Sequence, residues 1–315
     1  MAGFKPGAWA RRPSRVGVGA ALLAAVAVAG VAAGCGADPA PGLIQAVGAE
    51  NQYANVISQI GGRYVQVTAV VSNPNTDPHS FQASAQVART LSSAELVVQN
   101  GLGYDTFMGE IEAASPNSSR RVIDVRRLLG LPDSTRNPHL WYEPSTMPRV
   151  AAAVARDLAA IDPAHRAYFE ANASAFTRSL AAWSAAVAGL RADFDGVPVA
   201  TTEPVADYLL QAAGLDNLTP WTFQAAVMNG VDPSAQDVSR VRALFTGHRV
   251  RAFVYNRQVT DSLTQSLLQL ARQNGIPVVA VYETMPAGHD YQTWMTAEVT
   301  ALRVALAEGR STTSL

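Results

Sequence analysis

Short runs of β-branched and apolar residues, each followed by a stretch of helical period, set the tightest limit on how this 315-residue chain can fold. Val65 to Val71, Leu96-Val97-Val98, Val197 to Ala200, Val250 to Tyr255 and Ile276 to Val281 read as buried strands, as does the short apolar run Leu43 to Val47. Asn51 to Ile60, Ala83 to Ser93, Val205 to Ala213, Pro233 to Phe245 and Ser262 to Asn274 read as helices between them. Apolar strands separated by helices are the pattern of parallel sheets covered on both faces. The pattern occurs twice, and Met147 to Ile161 and Pro163 to Phe194 read as helix in between, with Pro163 suited to a first turn after Asp162. Along the second of these, Tyr168, Phe176, Leu180, Trp183, Val187 and Leu190 recur on one face, so it should lie against both halves. The expected fold is α/β: two lobes, each a mainly parallel sheet flanked by helices, joined by one long rigid helix. The N-terminal lobe is expected over 43–150, the linking helices over 151–194 and the C-terminal lobe over 195–310.

The first residues carry a separate signal. Lys5, Arg11, Arg12 and Arg15 precede an unbroken apolar and glycine stretch from Val16 to Ala33, the layout of a secretory signal. It ends in Ala32-Ala33-Gly34 directly before Cys35, the only cysteine of the chain, an ending that resembles a bacterial lipobox. Residues 1–35 are therefore expected to be a lipoprotein signal peptide ending at an acylated Cys35, and 36–42, rich in Gly and Pro, a tether. An acyl pair contributes about 0.8 kcal/mol per buried CH₂, enough to hold the protein on the outer face of the cytoplasmic membrane without a spanning helix. Arg11-Arg12 lacks the usual twin-arginine flanks, so export is expected through Sec. The formal net charge of −1, with no basic run after the first residues, argues against nucleic acid as a partner.

Five histidines occur, and two stand in matched settings, Asp77-Pro78-His79 and Asn137-Pro138-His139. Proline keeps the residue before it out of the helical region, so each histidine sits on an extended approach between elements. Neutral imidazole is the commonest protein ligand for transition metals, and two on separate loops need carboxylates to neutralise the ion. His79 and His139 are the expected ligands. His165, His248 and His289 read as surface residues, with His289 notable for its nearness to Glu283. Trp141, Tyr142 and Tyr104 read as packing.

These segments carry a resemblance. Ser72-Asn73-Pro74-Asn75-Thr76-Asp77-Pro78-His79-Ser80-Phe81, then Asn100-Gly101-Leu102-Gly103-Tyr104-Asp105, then Asn137-Pro138-His139-Leu140-Trp141-Tyr142-Glu143-Pro144, resemble the metal-binding solute receptors of bacterial ABC importers, the zinc and manganese family. The resemblance runs from about Leu43 to about Glu308. It implies a monomeric receptor that holds one divalent ion between two lobes and delivers it to an ABC permease with its ATPase. By position it implies Glu203 and Glu283 as the remaining ligands. Both stand just beyond the C-terminal ends of expected strands, where open α/β sheets bind ligands.

The family's zinc members often have a third histidine where Glu203 stands, and usually Asp where Glu283 stands. No histidine lies between His79 and His139, so the histidine-rich loop of many zinc members is missing. Two imidazoles with up to four carboxylate oxygens suit six-coordinate Mn²⁺ or Fe²⁺ better than four-coordinate Zn²⁺, and Mn²⁺ is the first expectation. An exported metallohydrolase is the rival reading, but no H-E-x-x-H helix or general base stands out, and no enzyme activity is expected. A metal-binding adhesin or buffer without a transporter is the third.

Overall fold

The first strand, β1 (Ile44–Glu50), pairs in parallel with β2 (Val65–Val71) on one side and β3 (Leu96–Gln99) on the other, in the computed structural model, which describes residues 42–73, 81 and 83–315. Helix α1 (Asn51–Gly61) returns the chain from β1 to β2, α2 (Ala85–Ser93) leads to β3, and α3 (Thr106–Ala114) leads to β4 (Arg121–Asp124), which closes the sheet in the order β2-β1-β3-β4. Ser84 caps α2 through its side chain. Cys35, its signal and tether through residue 41, and Asp77, Pro78 and His79 lie outside the described residues.

After α4 (Val125–Leu129) and a 3-10 turn at Leu140–Tyr142, α5 (Thr146–Ile161) leads to the linking helices α6 (Arg166–Ser179) and α7 (Ala181–Phe194). The second sheet follows: β5 (Pro198–Thr201), α8 (Asp207–Ala212), β6 (Asp216–Asn217), α9 (Trp221–Met228), α10 (Ala235–Thr246), β7 (Phe253–Asn256), α11 (Ser262–Gln273), β8 (Val278–Val281) and α12 (Tyr291–Glu308). Its order is β6-β5-β7-β8, again parallel, and Thr312 adds an isolated parallel bridge to Val279. In both sheets the chain reverses direction beside the first strand, between β1 and β3 and between β5 and β7. That is where open α/β sheets form crevices.

The long link is interrupted at one residue. Leu180 keeps right-handed helical angles (φ −76°, ψ −5°) but its amide bonds Thr177 O, three residues back, and Ser179 Oγ donates to Phe176 O. Hydroxyl back-bonding of this kind loosens a helix locally. The expected apolar face is nevertheless realised, since Phe176, Leu180, Trp183, Val187 and Leu190 are all buried. α6 packs on α1 and α5, and α7 on α12 and α8, so the link touches both halves. Trp183 stands edge-on to Tyr291, and Tyr291 in turn to Trp294, a buried aromatic row joining α7 to α12.

Candidate metal site between the lobes

The first half of the site hangs on the loop after β3. The Asp105 carboxylate accepts the backbone amides of Asn100 (2.5 Å) and Gly101 (2.9 Å), closing a turn in which Gly101, Leu102 and Gly103 all have φ between 58° and 80°. Two glycines adopt that region at no steric cost, and Leu102 is carried between them. Burial pushes the Asp105 carboxyl up to about 6, against the opposing pull of those amides. Asn100 then ties this loop to the next: it accepts from Tyr53 Oη (2.6 Å) and donates from Nδ2 to Pro138 O (2.8 Å). Pro138 thereby fixes the approach to His139.

His139 is fully buried and its protonation pattern follows from its neighbours. Asn137 Nδ2 donates to Pro204 O (2.8 Å), an acceptor only, so Asn137 Oδ1 faces the ring and accepts from His139 Nδ1 (2.7 Å). Nδ1 is thus the donor of that bond, and Nε2 is the ring nitrogen turned to the facing lobe. Nε2 lies 3.4 Å from Glu283 Oε2, on the facing lobe. Trp141 and Tyr142 are buried in the core, Trp141 edge-on to the His139 ring. Tyr104 does more than pack, because its hydroxyl donates to Glu283 Oε2 (3.0 Å). Burial, and next the charge of Glu283, push that phenol well above its ordinary range, so it remains a donor.

The second half comes from three strand ends. Glu203 follows β5, Asn256 ends β7 and Glu283 follows β8. Glu203 and Glu283 are both buried, and Asn256 Nδ2 donates to each, at 3.1 Å to Glu203 Oε1 and 2.5 Å to Glu283 Oε1. Gln258 Oε1 accepts the amides of Glu283 and Thr284, holding the acid's backbone. From the first lobe, Gln52 donates to Glu283 O, and Asn51 exchanges a pair of 2.8 Å hydrogen bonds with the Met285 backbone.

Of the four expected ligands, the structure brings Glu283 against His139 and joins Glu203 to Glu283 through one amide. His79 lies outside the described residues, and among those described no three His, Cys, Asp or Glu donors form a closed shell. His165 stacks on Tyr64 and bonds Asp162, remote from the crevice, and His289 is half-buried in the turn after Glu283 with its amide on Pro286 O. Sequence reasoning missed Asn137, Asn256, Gln258 and the hydroxyl of Tyr104. Asn256 had a signal: it is the first residue after Val250 to Tyr255, the run expected as a strand, and it is polar. It also missed Glu50, which ends β1 fully buried, its carboxyl raised well above the usual range by burial and then by Asp105.

Residues 47–305 match the family model described as zinc-uptake complex component A, periplasmic (ZnuA). The manganese-binding lipoprotein MntA of Bacillus subtilis is 24% identical over 272 residues, covering 81% of this chain and 86% of MntA. Among solved structures, the periplasmic zinc-binding protein TroA of Treponema pallidum superposes with a TM-score of 0.73 at 21% identity, over 85% of this chain and all of TroA. The solute-binding protein FpvC of Pseudomonas aeruginosa, in complex with Ni²⁺, gives 0.70 at 20% identity over 86% of this chain.

Proposed function

The chain belongs to the zinc-uptake component A (ZnuA) family, and from that premise we propose that it captures one divalent transition metal with His79, His139, Glu203 and Glu283 and hands it to an ABC permease driven by a separate ATPase. It is a transport receptor and not an enzyme. The cargo belongs to the Mn²⁺, Zn²⁺ and Fe²⁺ group. Relatives bearing the names manganese-binding lipoprotein, zinc-binding protein and iron-binding protein support that range.

One observation carries the reading. His139 and Glu283 face each other across the crevice at 3.4 Å, each held from behind by an amide, Asn137 for the ring and Asn256 for the carboxylate. Outer hydrogen bonds of this kind orient metal ligands and fix the imidazole tautomer. A shell made of protein donors suits capture and release, since hydrolysis needs a coordination position left for water and a base beside it.

The protein acts as a monomer on the outer face of the cytoplasmic membrane, exported through Sec and held by acyl chains on Cys35. Among the described residues no helix is long and apolar enough to cross a membrane. The lobes, 43–150 and 195–310, each supply two ligands, and 151–194 holds them at a fixed separation. Deleting the gene should lower metal accumulation by cells grown under metal limitation, and a Cys35→Ala copy should restore it poorly while appearing in the medium. Unchanged accumulation in the deletion strain would sink the transport reading.

A further inference from the structure

Beyond Glu308 the chain returns to the second sheet. Gly309, in the left-handed region at φ 66°, ends α12 and turns the backbone toward β8. β8 is an edge strand of that sheet, and residues 311–315 run along its open side. Thr312 donates its amide to Val278 O and accepts from the Ala280 amide, both at 2.8 Å, and Ser311 Oγ accepts the Val278 amide at 3.0 Å. An open edge is a template for pairing with another chain, and this segment occupies it. The segment then continues past the strand ends. Thr313 O accepts from Tyr255 Oη at 3.3 Å and from Arg257 Nη1 at 3.2 Å, and the Leu315 amide donates to Tyr282 Oη at 3.3 Å. Leu315 also packs on the core.

Those three partners flank the supports of the acids. Tyr255 and Arg257 stand on either side of Asn256, whose amide bridges Glu203 and Glu283, and Tyr282 directly precedes Glu283. Side chains alternate along a strand, so Tyr255 and Arg257 are gripped on the face opposite the one Asn256 presents to the acids. The Arg257 amide also bonds Val281 O, tying the end of β7 to the end of β8. Strand ends open at low cost unless they are held. Here one segment holds both, and it lies outside residues 47–305, the part that matches the family. We infer that residues 311–315 are a strap that positions the second-lobe half of the metal site, keeping Glu283 opposite His139, so that metal is retained less well without it. This rests on the receptor reading above. Thr313 and Leu315 are positioning residues that act through Tyr255, Arg257 and Tyr282.

The test compares wild type with chains ended after Thr312 and after Arg310. The first cut keeps the pairing of Thr312 with β8 and removes only the grip on Tyr255, Arg257 and Tyr282. Zn²⁺ affinity is measured by competition with a chelating dye, at a temperature where circular dichroism shows each chain folded. Ending the chain after Thr312 should weaken Zn²⁺ binding by about tenfold, the lower end of what losing a ligand's outer partner costs. A segment that merely covers the sheet edge would lower the melting temperature on removal and leave Zn²⁺ affinity unchanged, which overturns the inference. Coupling is reciprocal, so bound metal must in turn hold the strap. In the wild type, Zn²⁺ should slow amide hydrogen exchange at Thr312 and Leu315, read residue by residue by NMR, by more than at β4, an edge of the other sheet. Equal slowing at both, or none at the strap, overturns the inference, and that measurement stands even if both shortened chains fail to fold. If wild type retains no Zn²⁺, the receptor reading itself falls and the strap with it, an outcome distinct from retention that the cuts leave unchanged.

Discussion

Asn137 shows how much of the site depends on residues that touch no metal. It fixes the tautomer of His139 through Oδ1 and reaches Pro204 O in the other lobe through Nδ2. Asn137→Ala should cost roughly 10–100-fold in metal affinity with little change in melting temperature, because the ring loses its orienting acceptor while its packing survives. Glu298 makes a different prediction. It is fully buried on α12, where Oε1 takes hydrogen bonds from Tyr142 Oη, Trp294 Nε1 and the Tyr282 amide, yet burial still raises its carboxyl from 4.5 to about 8. A raised folded value favours the protonated form, so this group's contribution to stability is complete below 4.5 and is lost as pH rises through about 8. The loss is on the order of a few kcal/mol. Thermal melts across that range should show wild-type stability falling, and Glu298→Gln, which keeps the same acceptor without a charge, should flatten the slope.

At the scale of elements, β1 and α1 meet closely at Gly48. A Cβ on Gly48 would come within 2.7 Å of Ala54 Cα and closer still to its backbone nitrogen, so Gly48→Ala must push the helix off the strand. A loss of about 1–3 kcal/mol or more in denaturant unfolding is expected, against near-neutrality at Gly109, where nothing stands within 4 Å. The strands legible in the sequence were those with unbroken β-branched or apolar runs: Val65 to Val71 was matched at both ends although it is a half-exposed edge strand, and the β3, β5 and β8 runs within two residues. β4 was missed because it is a four-residue edge strand with Arg121 and Val122 exposed, which leaves no apolar run to read. β6 has only two residues. α12 was missed although nine of its residues are buried along one face, because that face includes Glu298 and the opposite one carries Thr296, Ala297, Thr300 and Val304, which leaves little polar contrast to mark the period. For the same reason the ligands were easier to find than their supports. Histidines and strand-end acids are conspicuous in a sequence, whereas the amides of Asn137, Asn256 and Gln258 gain meaning only when three loops meet.

For the whole molecule, the link and the crevice together limit motion. α6 and α7 bury aromatic and aliphatic side chains against both halves, and near the site Asn51, Asn137, Tyr142 and Tyr291 all hydrogen-bond across to the other half. Release should therefore proceed by small tilts and rearrangement of ligand loops. Crystal forms with and without metal should superpose with the link unchanged, and a closure through many tens of degrees would contradict this. The central claim, that one ion is held between His139 and the two acids, is tested most directly by the metal content of the purified protein. After equilibrium dialysis against Mn²⁺ or Zn²⁺, elemental analysis should give one ion per wild-type chain and much less than one for a folded His139→Ala variant. Undiminished stoichiometry in that variant, or no retained metal in the wild type, would contradict it.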